Sequence, residues 1–115
     1  MNNVMLIGNL ATDVELKDVG TDKKVAKFLL AVDRAGKDTG ADFVWISAWD
    51  RQAETCAEYL SKGSHVAVDG RLRSHSWEDE GKRRSAVEVS AHRVQFLGGP
   101  RTEEVTPFEA AASTT

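Results

Sequence analysis

The sequence has little of what several classes of protein require. One cysteine, Cys56, occurs in 115 residues, so no disulfide can form within the chain, which agrees with a reducing compartment. No apolar run approaches the roughly 20 residues of a membrane-spanning helix. The first ten residues, MNNVMLIGNL, lack the basic region and cleavage site of an export signal. We therefore expect a cytoplasmic protein with no membrane partner.

The sequence also shows no pattern for catalysis or for a cofactor. Its three histidines, His65, His75 and His92, are too widely spaced for metal-ligand motifs. No glycine-rich motif combines with a lysine to cradle a phosphate, and no Ser/His/Asp arrangement can be assigned from residue order. Cys56 lies on the apolar side of a predicted helix, which favours a small core residue over a nucleophile. We expect a non-enzymatic protein without cofactor or metal.

Charge is patchy. The formal net charge is −3 and the pI is near 5.6, whereas nucleic-acid binders usually show a basic footprint. The cations nevertheless cluster, with a KRR run at 82–84 and with Arg71 and Arg73 close by. A local patch of this kind is sufficient for contacts with phosphates.

Hydrophobic alternation predicts three strands, a short helix and two more strands. The predicted strands cover 4–10, 24–33, 42–49, 65–77 and 83–97, and residues 14–16 continue or bend the first. Asp50 is the predicted helix N-cap and Gly63 the C-cap of a helix over 51–62. This order predicts an all-β, five-stranded OB-fold barrel with one short helix between strands 3 and 4. An open α+β sheet fits the same pattern.

One folded domain is expected over residues 1–98. From Gly98 onwards the composition changes to GGPRTEEVTPFEAAASTT, which has little to bury. A chain of that composition cannot offset its ordering entropy by burial. We expect a flexible C-terminal tail over 99–115.

The stretch DFVWISAWDR, residues 42–51, separates two kinds of side chain. Its odd positions include the aromatics Phe43, Trp45 and Trp49, and its even positions carry Val, Ile and Ala. Alternate side chains of a strand point to opposite faces. A five-stranded barrel is too narrow for two indoles and a phenyl from one strand, so the aliphatic face is predicted to point inward.

The next predicted strand shows the same separation. One face carries the aliphatic residues Val66, Val68 and Leu72, which are predicted to lie inside. The opposite face carries Arg71, Arg73, His75 and Trp77. Unpaired arginines cannot enter a small core without a large desolvation cost. The cationic and aromatic side chains are therefore predicted to lie outside.

Exposed aromatics interleaved with cations are typical of single-stranded nucleic-acid binding. Bases stack on aromatic rings regardless of sequence, and arginines contact phosphates and also stack. Two other interpretations stay open at this point. In the first, Phe43 or Trp45 packs against another subunit. In the second, the arginines form only a solvated face.

Several motifs extend this interpretation. The chain contains, in this order, VMLIGNL (4–10), VAKFLLAVDR (25–34), WDRQAE (49–54), AEYLSKGSHVAVDGRLR (57–73), Trp77 and FLGG (96–99). Together they resemble the bacterial single-stranded-DNA-binding protein family over about residues 2–99. The resemblance implies an OB-fold homotetramer that wraps single-stranded DNA across its aromatic faces, during replication, recombination and repair, in association with the nucleoid.

The resemblance also assigns roles to individual residues. Phe43, Trp49 and Trp77 match the family's base-stacking aromatics. Its phosphate-contacting cations are matched by Arg51, Lys62, Arg73 and Arg84. Trp45 and His75 stand where the family usually carries a basic residue, which implies one stacking contact in place of a phosphate contact and one cation that is charged only part of the time.

Family members usually end in an acidic tip closed by Pro-Phe, which recruits repair and replication enzymes. Here Pro107-Phe108 is internal and the last residues are EAAASTT. We therefore expect recruitment through the C-terminus to be weakened or rerouted. Two alternatives remain: a dimeric, primosome-type OB paralogue, and an OB scaffold for protein interaction with its aromatics buried between subunits.

Overall fold

The computed structural model describes residues 1–35 and 40–99, so the predicted tail and its Pro107-Phe108 lie outside the described residues. Six strands and one helix cover most of the described chain. In chain order they are β1 (Val4–Leu10), β2 (Glu15–Gly20), β3 (Lys23–Asp33), β4 (Ala41–Trp49), α1 (Asp50–Tyr59), β5 (His65–Asp79) and β6 (Lys82–Gly98).

The strands close into a ring. They follow the order β1-β5-β6-β4-β3-β2, and β1 pairs again with β3 through Asn9 opposite Ala31 and Leu10 opposite Leu30. The pairs are antiparallel except β4–β6, where Ile46 lies beside Val89 in parallel register. Closure removes the free edges that an open sheet would expose. This ring excludes the open α+β sheet.

The first predicted strand is divided by a bend. β1 and β2 both pair with β3, at successive places along it, and Ala11–Val14 lie between them. The Ala11 N–H donates to the Leu29 carbonyl, and the Thr12 hydroxyl accepts from the Leu29 N–H. Counted as one bent strand, β1 and β2 give the five-stranded OB-fold with a helix between the third and fourth strands, which confirms the predicted fold.

The barrel interior is filled by the faces predicted to be inside. Phe28, Leu30, Ile46, Ala48 and Val66 are all fully buried. They come from three strands of the ring and meet the apolar side of α1, where Ala53 and Cys56 are buried. Burial raises the pKa of the Cys56 thiol to about 11, so it stays protonated near neutral pH. The prediction of a small core residue at Cys56 is confirmed.

β5 and β6 continue beyond the barrel as a two-stranded arm. Every residue from Arg71 to Asp79 is exposed, and the turn at Glu80-Gly81 has positive φ at both residues, 51° and 79°. Such a pair matches the twist of a two-residue hairpin. Leu72, predicted to be in the core, is 49% exposed. That prediction is wrong because Leu72 lies beyond the barrel, where no opposite wall covers it.

A bulge in β6 explains its change of phase. Asp69 pairs with Arg93 while the adjacent Gly70 pairs with Ala91, so His92 is the extra residue. An inserted residue moves all following side chains to the other face. The bulge therefore changes the phase of burial along β6, with Val89 and Ala91 buried before it and Val94 partly buried after it.

The helix caps differ from the prediction. α1 begins at Asp50, Trp49 occupies the N-cap position, and no side chain caps the helix. Asp50 has φ of 55°, and its carboxylate lies 3.4 Å from the Lys24 backbone nitrogen on β3. The helix ends at Tyr59, and the Gly63 N–H donates to the Leu10 carbonyl. Asp50 and Gly63 thus attach the helix ends to the barrel. None of the described helices is long and apolar enough to cross a membrane.

Gly70 provides a test of the close approach between β5 and β6. A Cβ at this position would meet the Ser90 carbonyl oxygen on the neighbouring strand. We expect Gly70→Ala to lower the free energy of unfolding by roughly 1–3 kcal/mol, because overpacking forces the backbones apart. Denaturant titration measures this. Gly99→Ala is the matched control, since nothing lies within 4 Å of its Cβ; equal stability of the two variants would contradict the close approach.

Candidate nucleic-acid interface

The outer face of the barrel collects eight of the ten predicted site residues. Three lie on β4, four on β5 and one on β6. We call this set the aromatic–cationic face, and it consists of Phe43, Trp45, Trp49, Arg71, Arg73, His75, Trp77 and Arg84. All eight are exposed in the single chain.

The aromatics are only partly covered. Phe43 is 61% exposed, Trp45 48%, Trp49 39% and Trp77 44%. Their partners in sequence, Ile46 and Ala48, are fully buried, so the predicted division of DFVWISAWDR between inside and outside is confirmed for these residues. All three tryptophans of the chain therefore present ring surface on this face.

β4 and β5 are not neighbours in the sheet. β6 lies between them, joined to β4 at Ser47–Ser90 and to β5 at Ser90–Arg71. Residues directly opposite one another in paired strands share a face, so Lys27, Ser47, Ser90 and Arg71 form a row across four strands. This row connects the aromatics of β4 with the cations of β5.

The arm carries its own aromatic platform. The rings of His75 and Trp77 stack with centroids 5.4 Å apart and an interplanar angle of 27°. Arg84 lies opposite Trp77 on β6, and its Nε is 3.1 Å from the Asp79 carboxylate. An exposed ion pair is weak and exchangeable. Arg84 is therefore held beside Trp77, and the guanidinium donors not used by Asp79 are free to bind another anion.

The other two predicted cations lie outside the sheet. Arg51 is exposed on the first turn of α1, two residues after Trp49. Lys62 is exposed in the loop that follows the helix, where its backbone N–H donates to the Asp13 carboxylate, 2.8 Å away. The structure does not group Lys62 with the sheet residues, since this contact attaches its loop to the bend between β1 and β2.

Sequence reasoning missed two charged residues of this face. Lys27 on β3 is the partner of Ser47, and Glu88 on β6 is the partner of Arg73. Lys27 Nζ lies 3.9 Å from Glu88 Oε2. Alternation with the buried Phe28 and Val89 places both outside, but their proximity depends on β6 lying beside β4, which no local pattern indicates.

Ser47 is the exception to the alternation. It occupies an outward position between Trp45 and Trp49, yet it is 1% exposed. Its hydroxyl has no hydrogen-bond partner in the structure. Neighbouring side chains on the outer face cover it, so the middle of the face is closed in the free chain.

In residues 1–35 and 40–99 no group of three or more His, Cys, Asp or Glu residues is placed to hold a metal ion. What the arrangement offers chemically is ring surface for stacking and fixed positive charge for anions. Both are properties of a binding surface.

The chain matches known proteins over nearly all of its described length. Residues 1–97 match the single-strand binding protein family. Single-stranded DNA-binding protein 3 of Clostridium acetobutylicum is 48% identical over 102 residues, which covers 84% of this chain and 71% of that protein. Single-stranded DNA-binding protein of Treponema pallidum is 43% identical over 104 residues, covering 85% of this chain and 58% of that protein.

A third relative is similar in length. Single-stranded DNA-binding protein 2 of Clostridium acetobutylicum is 39% identical over 127 aligned positions, which cover 95% of this chain and 96% of that protein. The family match spans every strand of the barrel except the last residue of β6. By its sequence and by its closed five-stranded ring, the chain belongs to the single-strand binding protein family.

Proposed function

We propose that this protein binds and coats single-stranded DNA, without preference for base sequence, across the aromatic–cationic face. The observation that carries the proposal is that all three tryptophans and Phe43 are exposed on one side of the barrel, continuous with Arg71 and Arg73. Exposed large aromatics mark contact surfaces. Family membership and the names of the relatives support single-stranded DNA as the ligand.

Base stacking is assigned to the aromatics of the face. Phe43, Trp45 and Trp49 lie on the same side of β4, where Ser47 occupies the one outward position between Trp45 and Trp49. An unpaired base offers a flat π surface whatever its identity. Trp77, stacked on His75, provides a further platform on the arm. Recognition by stacking explains binding without sequence preference.

Phosphate contacts are assigned to the cations of the same face. Arg71 and Arg73 alternate with inward positions on β5 and are exposed. Arg51 and Arg84 lie at the two ends, beside Trp49 and Trp77 respectively. The net charge of −3 is no obstacle, because phosphates respond to the local field. Lys62 extends this path of phosphate contacts only if the bound DNA passes the bend between β1 and β2.

The proposal includes a biological setting and a domain boundary. Residues 1–98 form the DNA-binding domain, and the tail is not needed for it. Coating exposed strands prevents hairpins and degradation during replication, recombination and repair, which places the protein in the cytoplasm with the nucleoid. The proposed function requires no cofactor and no catalysis.

Assembly into a homotetramer is part of the proposal. The outer face of β1 exposes Met5 and Ile7, 73% and 60% respectively. They line a shallow groove with Ala67 on β5 and Gln95 on β6. An exposed apolar patch on a sheet is a candidate subunit contact. The groove contains no tryptophan, so a subunit contact made there leaves the tryptophans available.

Stacking is tested by removing single rings. Trp77→Ala and Trp49→Ala are each expected to weaken binding to a dT oligonucleotide by roughly 1–3 kcal/mol, the value typical of one stacked base. Fluorescence anisotropy of a labelled oligonucleotide measures this. Tyr59→Ala is the control, since Tyr59 is an exposed aromatic on α1. Wild-type affinity in both tryptophan variants would refute stacking on this face.

Phosphate contact by Arg73 is tested through salt. Each phosphate neutralised on a single strand contributes about 0.7 to the slope of log affinity against log salt concentration. Arg73→Ala is expected to reduce the slope by about that amount. Lys24→Ala, which removes an exposed cation paired with Glu54 on α1, is expected to leave the slope unchanged. Equal slopes for Arg73→Ala and wild type would exclude Arg73 from the phosphate path.

The assembly is tested by native mass spectrometry. The wild-type chain is expected at four times its subunit mass of 12.6 kDa. Ile7→Glu places a charge in the apolar patch and is expected to shift the distribution towards dimer and monomer. Val19→Glu, at an exposed aliphatic position on β2, is the control. A wild-type dimer would favour the primosome-type paralogue.

A further inference from the structure

An ion pair crosses the middle of the aromatic–cationic face. Lys27 belongs to β3 and Glu88 to β6, and β4 lies between these two strands in the sheet. The 3.9 Å contact between Lys27 Nζ and Glu88 Oε2 therefore passes over β4. It crosses diagonally beside Ser47, whose partner on β3 is Lys27 and whose neighbour on β6, Ser90, lies two residues after Glu88.

The burial of Ser47 leaves a polar group unsatisfied. The Ser47 hydroxyl is buried and has no hydrogen-bond partner in the structure. Leaving a buried hydroxyl unpaired costs free energy. Any change on this face that gives the Ser47 hydroxyl a hydrogen-bond partner is therefore favoured.

Glu88 lies where single-stranded DNA bound to the aromatic–cationic face would contact it. It lies directly opposite Arg73 and one residue before Val89, the partner of Ile46. Its side chain is 15% exposed, whereas that of Lys27 is 45% exposed. The carboxylate thus sits between two cations on a surface proposed to hold phosphates. Lys27 can swing outward to solvent more easily than Glu88 can.

We propose that Lys27 is a further phosphate-binding residue and that Glu88 occupies it in the free protein. An incoming phosphate replaces the Glu88 carboxylate on the Lys27 ammonium, and this exchange uncovers Ser47 between Trp45 and Trp49. The proposal rests on the proposed function, since it requires a strand on this face. No covalent bond changes; one anion replaces another.

If phosphate replaces Glu88 on Lys27, the affinity for DNA and its salt dependence both change in a way that an uninvolved surface carboxylate would not produce. Binding gains the contact between Lys27 and phosphate but loses the ion pair. The freed Glu88 also takes up a cation from solution, which opposes the release of counterions by the DNA. Glu88 therefore lowers both the affinity and its dependence on salt.

A double-mutant cycle tests this exchange, with binding to a dT oligonucleotide measured over a range of salt concentrations. Glu88→Gln retains the shape of the side chain and removes its charge. We expect it to tighten binding and to steepen the salt slope by up to about 0.7. Lys27→Gln is expected to weaken binding by roughly threefold more in the Glu88→Gln background than in the wild type, because there no ion pair is lost on binding.

Glu54→Gln is the matched control. It removes the same charge from a lysine–glutamate pair, Lys24–Glu54 at 3.0 Å, that joins β3 to α1 rather than crossing β4. It reports the effect of net charge alone. Equal changes in Glu54→Gln and Glu88→Gln would overturn the proposal. So would equal losses from Lys27→Gln in the two backgrounds, since the ion pair would then stay closed under the strand.

Lys27→Arg gives a second test in the otherwise unchanged chain. Arginine retains the charge and can contact a phosphate, so wild-type affinity is expected, whereas Lys27→Gln is expected to weaken binding. Equal affinity of these two variants would exclude a phosphate contact at Lys27. If the folded wild-type protein did not bind the oligonucleotide at all, the proposed function itself would fail, and that outcome is separate from every result of the cycle.

Discussion

The narrow interior of the closed barrel determines where the large side chains lie. Five strand segments meet around Phe28, Leu30 and Ile46, and the backbones approach closely enough at Gly70 that a Cβ there would meet a neighbouring carbonyl. The inward positions of β4 hold Ile46 and Ala48, both fully buried. The aromatics of β4 must therefore lie outside, where they are costly to leave exposed unless a ligand covers them. The surface available for bases is thus a consequence of how the core is packed.

Electrostatics follows from the same geometry. The strands that point small residues inward point Arg71, Arg73 and Lys27 outward, so an acidic chain acquires a local cationic surface. Glu88 lies on the same surface and partly neutralises its positive charge. A face made only of cations and aromatics would bind strands tightly, whereas a coat protein must also release them. An internal carboxylate that competes with phosphate gives reversibility without any change of fold.

Much of this was predictable from local pattern. Period-two alternation predicted the bounds of β1, the inward side of β4, and the exposed aromatics, because burial alternates wherever a strand has one wet face. Leu72 was misplaced because alternation does not reveal where a barrel ends and a hairpin arm begins. Asp50 was misjudged because its carboxylate lies towards β3, a contact distant in sequence. The Lys27–Glu88 pair was missed because it depends on strand order, through the non-local parallel pairing of β4 with β6.

The most direct test of the account is a titration of the protein with poly(dT), followed by tryptophan fluorescence at low and at high salt. All three tryptophans lie on the aromatic–cationic face, so the signal reports this surface and no other. The account predicts strong quenching that saturates at a defined ratio of nucleotide to protein, with affinity falling as salt rises. A folded protein that showed no quenching at low salt would contradict it, and would indicate instead that the aromatics are buried between subunits.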